Sequence, residues 1–271
     1  MEKRKLLFVF LLLHISFPLI ISCKKAQDRP RQDTEQAMLQ IAAAANLSYV
    51  IPKLVDAFRA KYEEYENTDI RITKASSGSL VAQIRNGAPF GLFLSANTAY
   101  PQALYSDSLT VAPPEIYAEG IPVMVFRRGI EGERGVGSLT DTSVEKVAVA
   151  RPELAPYGEA ALQILRRAGV LGQVQDKFVY GVSVTQTFQH ATAAADAGFI
   201  AASLLHGDAG IELEKADMQW IGFPESSYDA AVLQQAMVLL DSSNIAAADF
   251  YTFMQGEEAA EIMEKNGYRV R

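Results

Sequence analysis

Ser76, Ser77 and Ser79 surround Gly78, and Leu80-Val81-Ala82-Gln83-Ile84-Arg85 follows as a helical stretch. Hydroxyls and a glycine at a helix start can hold an anion. The first amides of a helix have no partner within it, the macrodipole is positive there, and serine O–H groups donate alongside them. Serine is also an ordinary N-cap. The stretch therefore gains meaning from three other turns of the same design. Asn46 opens the helical pattern after the apolar run from Leu39 to Ala44, where it caps the helix, offers an amide N–H to a ligand, or does both. Tyr157 follows Pro156 at the start of another helix, either packed as a core tyrosine or aimed at a ligand. Ser183 caps a fourth, and the backbone N–H of Val184 is its candidate donor. No lysine or carboxylate stands at these donor positions. Neutral donors suit a fully deprotonated dianion, whereas a hydrogen phosphate also needs an acceptor for its proton. Each charge-assisted hydrogen bond contributes about 1.5–3 kcal/mol, so a few suffice for tight binding.

The elements that must position these turns alternate along the chain. Residues 39–44, 70–73, 91–95, 146–150, 178–180 and 198–202 read as apolar strands, and 79–86, 98–106, 158–168, 184–195, 246–254 and 257–265 as helices. Leu47, Val50, Ile51, Leu54, Val55 and Phe58 share one helical face, and Pro52 marks a helix that starts late or kinks. Alternating strands and helices predict parallel sheets covered by helices. The runs 121–126 and 230–241 read as crossings between two such series, which predicts two lobes and a cleft. In open α/β sheets ligands sit beyond the carboxyl ends of the strands, where these four turns fall. The domain expectation is residues 37–119 with 241–271 as lobe I and 120–240 as lobe II. Trp220, in the run Met218-Gln219-Trp220-Ile221, is expected in the core.

The first 22 residues carry a basic start and an apolar stretch from Leu6 to Ile21, the pattern of a secretory signal and too short for a membrane span. Ile20-Ile21-Ser22-Cys23 resembles the lipobox of bacterial lipoproteins. That resemblance implies lipidation of Cys23, the only cysteine, as the first mature residue, with residues 23–36 as a polar tether. The alternative is an ordinary signal with an incidental cysteine. Removing residues 1–22, which hold three basic side chains and one acidic one, takes the formal charge from −7 to −9. An acidic chain is a poor partner for nucleic acid, and any anion must be held by local donors.

A catalytic reading has little to stand on. The mature chain has two histidines, His190 and His206, neither in a metal-spacing motif, and no HExxH or GxSxG occurs. Asp208 and Asp229 read as solvated loop residues. No cofactor is expected.

Four stretches occur in order: Ile41-Ala-Ala-Ala-Ala-Asn46-Leu; Ser76-Ser77-Gly-Ser-Leu-Val-Ala-Gln-Ile with Gly87-Ala-Pro89; Pro152-Glu-Leu-Ala-Pro-Tyr157-Gly158; and Gly198-Phe-Ile-Ala-Ala-Ser203. Together they resemble the substrate-binding proteins of ABC transporters for molybdate and tungstate, from about Leu39 to the C-terminus. The resemblance implies a two-lobed periplasmic-binding-protein fold of type II, each lobe a mostly parallel sheet flanked by helices, hinged on two crossover strands. It implies a monomeric receptor outside the cytoplasmic membrane, touching the membrane through its lipid alone, that passes a tetrahedral oxyanion to a permease and its ATPase. By position, Ser77 gives hydroxyl and amide donors, Asn46 the first-turn ligand, Tyr157 its hydroxyl or backbone N–H, and Val184 a backbone N–H. Some members use a tyrosine near the position of Ala202, which this chain lacks, and Ala45 replaces a hydroxyl of some relatives. Sulfate, another oxyanion or a small organic acid stays open as ligand, and a hydrolase as the remaining alternative.

Overall fold

The computed structural model describes residues 38–270. Cys23 and the expected signal and tether lie outside the described residues. In chain order the strands are β1 (Leu39–Ala44), β2 (Ile70–Ala75), β3 (Leu92–Leu94), β4 (Glu115–Gly120), β5 (Pro122–Arg127), β6 (Val147–Ala150), β7 (Phe178–Gly181), β8 (Ala197–Ala201), β9 (Met218–Gly222), β10 (Gln234–Leu239) and β11 (Tyr268–Arg269). The helices are α1 (Ile51–Lys61), α2 (Ser77–Arg85), α3 (Ala99–Ser106), α4 (Pro156–Arg167), α5 (Leu171–Val174), α6 (Val184–Ala193), α7 (Gly207–Lys215), α8 (Ile245–Met254) and α9 (Glu257–Glu264).

Two sheets result, ordered β11-β4-β10-β3-β1-β2 and β7-β6-β8-β5-β9. Both are mixed, which corrects the expectation of mostly parallel sheets. Pairing is parallel at β1–β2 and β1–β3, and at β6–β7 and β6–β8. It is antiparallel wherever β4, β5, β9, β10 or β11 takes part. Parallel neighbours need a crossover helix between them, and strands that arrive from the other sheet or directly from a turn can pair the other way.

The first crossing is abrupt: β4 passes into β5 with only Ile121 between them. The return runs over residues 223–233. β10 then pairs with β3 and β4 in the first sheet, so the run 230–241 is chiefly a buried strand of lobe I rather than a crossing. The expected lobe boundary at 240 therefore lies too late. An apolar run reads alike as a crossing or a central strand.

Burial follows the sequence pattern. Ile51, Leu54, Val55 and Phe58 of α1 are buried, and the Phe58 ring stacks on Tyr65 at 4.9 Å and meets Phe250 edge-on at 5.0 Å. Pro52 lies in the first turn of α1, where a missing N–H breaks no helical bond, so the helix starts late and does not kink there. Trp220 is not in the core: it sits on β9, at the edge of its sheet, and is 56% exposed.

Candidate functional site

The two parallel pairs set the geometry. Their registers match Ala44 with Ala75, and Ala150 with Gly181. Residue 44 leads into the short helical turn Ala45–Leu47, and residue 75 into α2. Residue 150 leads to α4 after a short loop, and residue 181 to α6. The four strand-to-helix turns thus stand side by side in pairs, one pair per lobe.

The pairs meet. Ala44, Ala45, Asn46, Ser76, Ser77, Ala96, Ala155, Pro156, Tyr157 and Val184 line one small cavity, with about 10 Å³ open to the centre of a water-sized sphere. That is close to the least room that holds one water. All four residues expected from sequence are at its wall, each buried. None of the lining residues is charged.

Lobe-to-lobe hydrogen bonds close the cleft around it. Gly78 N–H donates to Leu154 O (3.0 Å), Tyr100 O–H to Glu153 O (2.8 Å) and Thr185 O–H to Ala45 O (2.8 Å). Ser203 O–H donates to Asn46 O (2.9 Å).

Each turn deploys its donors differently. Ser76 is the N-cap of α2 but caps nothing with its side chain; its hydroxyl pairs with that of Ser79 at 2.7 Å. Ser77 Oγ accepts the Ala96 N–H at 3.0 Å. A hydroxyl has one proton and two lone pairs, so with a donor behind it the Ser77 proton is directed away from Ala96. Ser183 does cap α6, accepting Gln186 N–H at 3.2 Å, and leaves Val184 as the first helical residue. Pro156 and Tyr157 open α4 with no side-chain cap. The main-chain N–H groups of Ser77, Tyr157 and Val184 all fall in first turns, where helix geometry supplies no partner.

Asn46 departs from the capping reading. Its side chain makes no cap. Its Nδ2 donates to Gln235 Oε1 (2.9 Å) and to the Tyr268 hydroxyl (3.2 Å). The side-chain donors are thus committed inside the protein, its Oδ1 is buried without a partner, and the main-chain N–H is what Asn46 can offer the cavity.

Behind the wall lies a polar cluster that sequence reasoning missed. The Tyr117 hydroxyl lies between two acceptors, Gln235 Oε1 (2.9 Å) and Ser95 O (3.0 Å), and Gln235 Nε2 donates to the Tyr157 hydroxyl (3.4 Å). Tyr268 O–H donates to Asn46 O (2.8 Å). Burial pushes the phenols of Tyr117, Tyr157 and Tyr268 above their ordinary pKa, so all three keep their protons at neutral pH. One signal was readable: Gln234 and Gln235 interrupt a run otherwise apolar from Ala230 to Leu240, and a polar residue in a buried strand needs a partner.

The arrangement turns neutral donors toward one small cavity. It offers little for catalysis: neither His190 nor His206 lines the cavity. Among the described residues no group of three or more His, Cys, Asp or Glu could hold a metal ion.

Two lobes with a small uncharged cavity between them at the strand ends are the build of a solute receptor, and the comparisons agree. The chain belongs to the bacterial extracellular solute-binding proteins, matching that family over residues 39–269. The molybdate-binding protein ModA of Azotobacter vinelandii is 29% identical over 238 residues, covering 86% of this chain and 90% of that protein. ModA of Rhodobacter capsulatus is 33% identical over 208 residues, covering 75% and 79%. The solved structure of the Azotobacter vinelandii periplasmic molybdate-binding protein matches with a TM-score of 0.75 at 26% identity, covering 86% of this chain and 99% of that one.

Proposed function

We propose that this receptor captures molybdate or tungstate in the cavity between its lobes and delivers the oxyanion to an ABC permease driven by its ATPase. Asn46, Ser77, Tyr157 and Val184 supply the donors. The carrying observation is the convergence of four helical first turns, two from each lobe, on one cavity whose walls hold no charged side chain. A proton-free tetrahedral dianion accepts from every side and asks for no protein acceptor, which suits such walls. The relatives named for molybdate binding support the same ligand class.

The protein binds without transforming its ligand, acts as a monomer and needs no resident cofactor. It works outside the cytoplasmic membrane, held there by a lipid on Cys23 and the tether that follows. Cys23→Ser would release it from the membrane fraction, and a variant that stays membrane-bound would refute the anchor.

A thermal-shift panel of molybdate, tungstate, sulfate and phosphate tests the ligand. At 100 times Kd a ligand of the folded state adds about 2.7 kcal/mol, or about 5–10 °C in a chain of this size. Molybdate and tungstate should reach that shift at low concentration. No shift with either removes the assignment, and a larger shift with sulfate would transfer it.

A further inference from the structure

We infer that Thr185 is a positioning residue: its hydroxyl clasps the Asn46 turn to the Val184 turn as the lobes close, and holds the Ala45–Asn46 peptide from behind. The inference rests on the oxyanion reading of the cavity and adds a residue that does not line it.

Thr185 follows Val184 in the first turn of α6, and Ala45 stands between the end of β1 and Asn46. The Thr185 hydroxyl lies 2.8 Å from Ala45 O and 3.3 Å from Ser48 Oγ, and Ser48 Oγ lies 2.7 Å from the same carbonyl. The clasp does not depend on where the protons sit. A carbonyl only accepts, so at least one of the two hydroxyls donates to Ala45 O. Both donate to it, or Thr185 donates to Ser48, or Ser48 donates to Thr185, and in every arrangement Thr185 is bonded to the facing lobe. The peptide between Ala45 and Asn46 is trans, so its N–H points away from the oxygen that Thr185 grips. That N–H is the donor Asn46 has left for the cavity. Hydrogen bonds accepted at the oxygen polarise the same peptide and strengthen its N–H as a donor. The lobe that brings Val184 therefore also readies Asn46.

Two further observations agree. Thr187 and Thr192, the other threonines of α6, spend their hydroxyls on its own backbone, at Ser183 O (2.9 Å) and Phe188 O (3.1 Å). Thr185 instead reaches out of its helix to the facing lobe. The bond from Gly78 N–H to Leu154 O joins the Ser77 turn to the Tyr157 turn in the same way, so the four donor turns are clasped across the cleft in two pairs. The Thr185 clasp is made by a side chain and can be deleted cleanly. Ala45 O keeps the Ser48 N–H (3.1 Å) and the Ser48 O–H when Thr185 is gone, so no carbonyl is stranded with the lobes open or closed.

The test measures molybdate affinity by calorimetry and dissociation by stopped flow in wild type, Thr185→Val, Thr185→Ser and Ser48→Ala, beside ligand-free melting curves. Thr185→Val keeps the branched shape and loses the hydroxyl. It should bind about 3- to 10-fold more weakly, the worth of one neutral hydrogen bond made in the closed form alone. The loss should appear as faster dissociation, because the open form that meets the ligand lacks the bond. Ligand-free melting should stay within about 2 °C of wild type. Thr185→Ser restores the donor, and Ser48→Ala leaves the Thr185–Ala45 bond in place, so both should bind within about 2-fold of wild type. A folded Thr185→Val with wild-type affinity overturns the inference. So does a serine variant as weak as the valine one, a Ser48→Ala loss as large, or a valine variant destabilised before any ligand is added. Wild type that binds no tetrahedral oxyanion overturns the reading of the cavity itself.

Discussion

The Gly78 N–H at the start of α2 donates to Leu154 O at 3.0 Å, joining the two lobes beside the cavity. This contact needs a glycine. A β-carbon at residue 78 would lie 2.9 Å from the Tyr100 hydroxyl, 3.1 Å from Leu154 Cα and 3.2 Å from Leu154 O.

Gly78→Ala should therefore separate stability from closure. Alanine favours a helix over glycine by about 1 kcal/mol, so the ligand-free protein should melt no lower than wild type. Molybdate affinity should drop about 10-fold or more, because the closed form must give way by a few tenths of an ångström. Titration calorimetry beside ligand-free melting curves checks both halves, and unchanged affinity would show that the lobes close without this contact.

Val184→Pro removes one main-chain donor with little else. Val184 is the first residue of α6, where proline is accepted, and Ser183 before it is already extended at φ −148° and ψ 165°. The variant should fold with a loss of no more than about 1–2 kcal/mol, set by trimming a buried side chain. Its affinity should fall about 10- to 100-fold. Binding at wild-type strength would take Val184 out of the donor set.

Ser77→Ala removes a hydroxyl with two duties. It strands the Ala96 N–H, a cost of about 1–3 kcal/mol to the fold, and deletes a donor to the ligand. Both melting temperature and affinity should fall, the affinity by about 10-fold or more. Loss of stability with full affinity would make Ser77 a structural residue only.

Arg269 in β11 bridges Glu119 (3.1 Å), whose side chain is 4% exposed, and Glu225 (3.1 Å), whose side chain is 63% exposed. Removing the cation hurts most where the carboxylate cannot reach water. Arg269→Met should lower stability by about 1–3 kcal/mol, and Glu225→Ala by about 0.5 kcal/mol or less. Equal losses from the two would contradict the part assigned to burial.

Tyr117, Tyr157 and Tyr268 gain a raised pKa on folding. The folded state then holds its protons longer than the unfolded chain. The associated stability is fully present below about pH 10, the ordinary phenol value, and is lost as pH rises beyond it. Melting temperature should show no tyrosine-linked decline from neutral to mildly alkaline pH and then fall, together with phenolate absorbance. A decline linked to these tyrosines near neutrality would contradict it.

Much of this was legible in the chain. The helical face from Ile51 to Phe58 and the four turns at Asn46, Ser77, Tyr157 and Val184 are local patterns, and local patterns fix local structure. The turns converge because Ala44 pairs with Ala75 and Ala150 with Gly181, which repetition of strand and helix implies without naming the partners. Strand direction was less legible, because β10 pairs with β3 and β4 across more than a hundred residues of chain. Trp220 was misread since hydrophobicity does not tell an edge strand from a central one. Gln235 was missed because its meaning depends on Asn46 and Tyr157, 189 and 78 residues away.

Gly120 has two tasks at one spot: the chain leaves the first sheet there, and its bare backbone lets Tyr157 reach Gln235. Tyr157 belongs to α4 and Gln235 to β10, so parting the lobes at that joint would separate the two. Because both halves furnish the cavity wall, a transporter that pries them apart would loosen the hold on the cargo in the same movement.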